Sequence, residues 1–162
     1  MLSSLRVCQI FALVVVLVGV QAILEPKTGL DFPSRYQGSA LSKLGVRTKG
    51  PVKVYAVGQY GETFLLKMNM QVGAEKMASA LSDALKPRCS DKDCIDKFKT
   101  MMTKGLPKGC SKDMKIAFAT KGGKVAMIVN NKAIGNVASK PLANAFKGIY
   151  SDSKAVCKLK PV

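Results

Sequence analysis

The chain contains no histidine, and only 10 of its 162 residues are acidic against 26 lysines and arginines. Without histidine there is no His-based triad and no imidazole general base. A zinc site is disfavoured too, because the cysteine spacings fit no zinc pattern. No metal and no cofactor is expected. The glycines at 58, 122 and 123 form no G-x-G-x-x-G ahead of a helix, so a nucleotide fingerprint is also missing. Blocks of like charge are absent: the lysines are spread over every segment, and no RNA- or DNA-binding motif with interleaved aromatics accompanies them, so nucleic acid is not an expected partner. No Pro/Gly/Ser-rich linker and no internal repeat divides the chain.

What is present begins with a leader. Arg6 precedes an apolar run from Val7 to Val20, and Val20-Gln21-Ala22 supplies small residues where a signal peptidase reads. The run is shorter than the roughly 18 apolar residues of a spanning helix. Residues 1–22 therefore read as a signal peptide cleaved after Ala22, leaving one domain over 23–162 that is secreted or held in the secretory-pathway lumen. Only Arg6 would leave with the leader, so the mature chain keeps all but one of its +16 charges. Such a surface attracts anions, an anionic membrane among them. Cys89, Cys94, Cys110 and Cys157 would remain, an even number that predicts disulfides with three possible connectivities. Cys89 with Cys94 and Cys110 with Cys157 is the preferred pairing, since the first two flank a turn between helices. A monomer is the expected state.

Periodicity supplies the elements. From Val52 the chain alternates, with Val52, Val54 and Ala56 on one face and Lys53, Tyr55, Val57 and Gln59 on the other. A second run sets Phe64, Leu66, Met68 and Met70 against Leu65, Lys67 and Asn69, and the two form a hairpin. A turn centred on Gly61 pairs residues whose numbers sum to 122, which puts Tyr55 opposite Lys67. Ala74 to Lys86 carries an apolar helical stripe of Met77, Ala80, Leu81, Ala84 and Leu85, ended by Pro87. Ser90 or Asp91 caps a second helix with Ile95, Phe98, Met101 and Met102 inward, stopped by Gly105 and Pro107. Strands follow on either side of Lys121-Gly122-Gly123. Ser139 then caps a third helix through Leu142, Ala145, Phe146 and Ile149, with Pro141 tolerated in its first turn. Thr28 to Leu44 reads as irregular or short strands. Strands, two helices, strands and a helix make an α+β fold.

Two stretches resemble the chalcone isomerase family: G-V-R at 45–47 followed by K-V-Y-A-V-G-Q-Y at 53–60, and the segment from Gly105 to Val156 with its P-K-G, two strands, G-x-V-x-S, helix and I-Y. The resemblance covers roughly Thr28 to Val156. It implies an open-faced β-sandwich in which helices cover a curved antiparallel sheet and a ligand cleft lies between them. Carried over by position, Arg47 stands where the isomerases have their active-site arginine and Lys67 where they have the cleft lysine. Other positions depart: Tyr55 replaces a strand threonine, Lys76 the tyrosine that polarises the enone, Asp83 the cleft asparagine, and Ile149, followed by Tyr150, the late threonine.

An arginine followed by a tyrosine on the next strand is more similar to the noncatalytic, fatty-acid-binding members. The implied function is a carrier of a fatty acid or similar apolar carboxylate. Arg47 and Tyr55 would grip the head, Lys67 would assist, and Met68, Met77 and Leu81 would line the tail. Two alternatives compete: an intramolecular lyase of the chalcone isomerase type, with Arg47, Tyr55 and Lys67 as its working residues, and a cationic extracellular protein that binds anionic lipid by charge alone. The plainest reading gives these residues no function: Arg47 pairs with Asp31 or Glu62, Lys67 is one more exposed lysine, and Tyr55 is a half-buried strand aromatic.

Overall fold

A computed structural model describes residues 21–162; Cys8 and all but the last two residues of the expected signal peptide lie outside them. In chain order the elements are β1 (Ala22–Leu24), β2 (Asp31–Pro33), β3 (Arg35–Tyr36), β4 (Ser39–Ala40), β5 (Lys43–Lys49), β6 (Val52–Tyr60), β7 (Thr63–Met68), α1 (Ala74–Leu85), α2 (Lys92–Gly105), β8 (Lys115–Ala119), β9 (Lys124–Val129), β10 (Lys132–Ala138), α3 (Lys140–Ser151) and β11 (Lys160–Pro161). Seven strands form one antiparallel sheet in the order β10-β9-β8-β7-β6-β5-β11, with β1–β2 and β3–β4 as separate small ribbons. The chain thus has the expected α+β architecture, a sheet with helices gathered on one side.

Alternation along the central strands gives the sheet two buried faces. Val57, Phe64, Leu66, Ile116, Phe118 and Met127 point toward the helices and form the larger core with Met77, Leu81, Phe98 and Phe146. Ala56, Tyr60, Leu65 and Ala117 point the other way, where Leu30, Phe32 and Leu41 of the N-terminal segment cover them. Gly58 permits that cover: an added Cβ would stand 2.9 Å from both Phe32 Cδ1 and Leu41 Cδ1.

The helix boundaries follow the sequence signals. Asp91 caps α2 by accepting from the Cys94 amide at 3.1 Å, and Ser139 caps α3 by accepting from the Leu142 amide at 3.2 Å. The sequence reading did not mark the β9–β10 hairpin. Asn130 and Asn131 both adopt positive φ, 47° and 68°, as a two-residue primed turn requires, and asparagine tolerates that region.

Two expectations are corrected. The β6–β7 turn is two residues long, Gly61-Glu62 flanked by the Tyr60–Thr63 pair, so partners sum to 123 and not 122. Gly61, with φ of 59°, occupies the first of two turn positions, not the centre of the turn. Tyr55 therefore faces Met68, and Lys67 faces Ala56 on the other side of the sheet, because a one-residue slip inverts the face. The four cysteines are free thiols, all buried in the helix-side core, and neither expected disulfide is formed.

Candidate functional site

Arg47 on β5 and Tyr55 on β6 are directly opposite in the ladder and so share a face, the one under α1. Immediately beyond them the pairing shifts to Thr48 with Lys53, leaving Val54 as the extra residue of a β-bulge. A bulge reverses the alternation past that point. Val54 and Val52, expected on the face opposite Tyr55, consequently turn to the same side as Tyr55, and with Lys49, two residues beyond Arg47, they extend the helix-side face to the tip of the hairpin. The sheet here does not close onto α1. A cleft of about 350 Å³ lies between them, walled by Val52, Val54 and Tyr55 from β6, by Met77, Ala80, Leu81 and Ala84 from the apolar stripe of α1, and by Met70 to Gly73 from the β7–α1 connection. That volume is within the usual range for a small-molecule site.

The polar groups of the cleft are few and of one sign. Arg47, Lys49 and Lys76 line it, and no acidic side chain does. Arg47 is half-buried and donates one Nη1 bond to the Val156 carbonyl oxygen at 2.8 Å. This contact fixes the guanidinium, while its other N–H groups find no acceptor among the described residues. Neither anion that could have quenched it does so: Asp31 pairs with Lys67, and Glu62 pairs with Lys147 at 2.9 Å.

Tyr55 is 4% exposed, and its hydroxyl lies 3.1 Å from that of Tyr150 on α3. Of two phenols sharing one bond, only one proton is used, so the pair retains a free donor beside the cleft. Burial raises both phenols well above their ordinary value of 10, a rise that the Arg47 charge only partly offsets, so both stay protonated. Cys157, next to this pair, is pushed up to about 11 by burial and is an inert thiol at neutral pH.

The structure brings together Arg47, Tyr55, Met77 and Leu81 of the residues singled out in the sequence. Met68 is fully buried in the core and does not line the cleft. Lys67 is removed from it altogether, on the far face, where Nζ bonds to the Asp31 carboxylate and, at 3.0 Å, to the Asp31 carbonyl oxygen. Of the positions where the chain departs from the isomerase pattern, Lys76 lines the cleft, Tyr150 is the partner of Tyr55, Ile149 is core, and Asp83 pairs with Lys86 at the surface. Lys49, Val54 and Val156 were not anticipated. Alternation from Arg47 would have found Lys49; the bulge and the return of the chain at Val156 leave no local trace.

No protein-family model matches the chain, and no curated protein does. Among solved structures, a fatty-acid binding protein of Arabidopsis thaliana superposes with a TM-score of 0.72 over 80% of this chain and 88% of its own, at 16% sequence identity. That neighbour is chalcone isomerase-like, and the chain described here has the same fold.

Proposed function

We propose that this protein binds a fatty acid or similar single-chain carboxylate in the cleft between α1 and the β5–β6 end of the sheet, without catalysis. The observation that carries the reading is the pairing of an uncompensated guanidinium with a buried phenol pair on one wall of an otherwise apolar cleft. A carboxylate can accept charge-assisted bonds from Arg47 and a bond from the spare phenolic proton. Lys49 and Lys76 add long-range attraction from the rim. The tail would lie along Met77, Leu81, Ala84 and Val54, each buried methylene contributing about 0.8 kcal/mol. Affinity would come mostly from the tail and orientation from Arg47. The fatty-acid ligand named for the Arabidopsis structure fits this arrangement, and at 16% identity it supplies the fold and a ligand class to test.

The test is titration of delipidated protein with a fluorescent fatty acid. Binding should be saturable, and Arg47→Ala should weaken it about tenfold or more, roughly 1.4 kcal/mol for one charged hydrogen bond. Unchanged binding in that variant would refute the assignment. Loss of chalcone absorbance well above the spontaneous rate would replace it with the lyase.

A further inference from the structure

Few large apolar side chains are exposed among the described residues: Leu24, Val52, Met70 and Val162. Two of the four stand on the rim of the candidate cleft. Val52, 45% exposed, ends the turn Lys49-Gly50-Pro51-Val52, and Met70, 38% exposed, lies in the connection into α1. Lys49 and Lys76 flank them; the carboxylates nearest Lys76 in sequence, Glu75 and Asp83, are directed to Lys99 and Lys86, and Glu62, the nearest to Lys49, is directed to Lys147. The mouth of the cleft therefore carries two apolar projections from separate loops, ringed by uncompensated ammonium groups.

We propose that this rim docks on an anionic membrane surface, with Val52 and Met70 entering the headgroup region and Lys49 and Lys76 meeting lipid phosphates. The charge complementarity commits the partner. Long lysine stems can bury against the interface while their heads stay with the phosphates, and anionic lipid attracts each juxtaposed lysine or arginine. An exposed methionine and valine gain by leaving water, and a surface that is apolar beneath an anionic layer accommodates them together with the flanking lysines. Docked in this way, the cleft would open toward the acyl layer, so an apolar tail could pass in without crossing water; this use of the surface rests on the lipid-binding reading.

A second region has similar ingredients and provides the control. Leu24 and Val162 border a separate hollow farther along the same β5–β11 edge of the sheet, lined also by Leu44, Val46, Lys27, Lys158 and Lys160, but Glu25 lines it too and neither Arg47 nor Tyr55 reaches it. Delipidated protein is sedimented with vesicles of phosphatidylcholine mixed with phosphatidylglycerol, at low and high salt. Wild type, Val52→Asp/Met70→Asp and Leu24→Asp/Val162→Asp are compared, after thermal melts show that all three are folded. The two double variants change charge equally at exposed positions. The cleft-rim variant is expected to lose about tenfold or more in vesicle affinity, the control less than about threefold, and wild-type binding should fall with salt. Equal losses in the two variants, no loss at the rim, or no binding of wild type at low salt would each overturn the proposal. Titration of wild type with a fluorescent fatty acid in vesicle-free buffer separates the two ideas: tight binding there with no vesicle association removes the docking surface and leaves the ligand site intact.

Discussion

The two faces of the central sheet each hold a cation close to aromatic residues, yet they treat it in opposite ways. On the face covered by the N-terminal segment, Lys67 is 7% exposed and has its counterion, Asp31, supplied by β2. That side is sealed: Phe32 is fully buried against the backbone of Gly58, and Tyr60 closes the other flank with its hydroxyl on the Pro33 carbonyl oxygen at 2.7 Å. On the helix side, Arg47 has one carbonyl oxygen and no carboxylate, and the space before it is open. A cation that the chain neutralises itself is structural. A cation that the chain fixes in place but leaves uncompensated is available to an anion from outside. Sequence position alone put both in the ligand site, Lys67 as the auxiliary.

The largest effect should come from breaching the sealed face. Phe32→Ala is expected to cost about 3–5 kcal/mol of folding stability, the usual penalty for emptying a fully buried aromatic site. Denaturant unfolding would measure it. At temperatures where the variant stays folded, fatty-acid affinity should hold within about twofold, since Phe32 touches the cleft nowhere; a larger fall would mean that the faces are not independent. The next contrast is Arg47→Ala against Lys67→Ala in ligand titrations, with the first losing about tenfold and the second less than about twofold. Equal losses would return Lys67 to the site. A finer contrast separates the phenols. Tyr55→Phe and Tyr150→Phe each break the same 3.1 Å bond and should destabilise by about 1 kcal/mol. Only Tyr55→Phe should also weaken ligand binding, because only Tyr55 lines the cleft.

Elements with strong periodicity were legible in advance, and pairings were not. The apolar stripe of α1, the caps Asp91 and Ser139, and the runs of β6 and β7 are encoded in residue spacing and came through, although β7 ends at Met68, short of Met70, and the bulge turns Val52 and Val54 to the Tyr55 side. Their register depended on whether Gly61 was the middle of a turn or one half of it, a difference of one residue that moved Lys67 across the sheet. Arg47 and Tyr55 were reached from the family resemblance, but what makes them a site is non-local: the bulge at Val54, the carbonyl oxygen of Val156 and the hydroxyl of Tyr150, about a hundred residues downstream in the chain. The cysteine count pointed to disulfides because parity behind an expected leader favours them; the fold instead uses all four as small apolar side chains.

The smallest expected effect is the acid response of the sealed face. The hydrogen bond from Lys67 holds the Asp31 carboxyl below its ordinary value of 3.8, against a lesser desolvation effect in the other direction. A carboxyl whose folded-state pKa is depressed contributes stability that is fully present above its unfolded value and is lost as pH falls through its folded value. The contribution of Asp31 should therefore be constant from neutrality down to about pH 5 and should fade below about pH 4. The carboxylate is largely exposed, 60% at the side chain, so screening limits the pair to under about 1 kcal/mol. Asp31→Asn should flatten the stability profile by that amount below pH 4 and leave fatty-acid binding at neutral pH unchanged. If the variant instead lost ligand affinity at neutral pH, Lys67 and its counterion would be coupled to Arg47 through the sheet, and the division between a sealed face and an open one would fail.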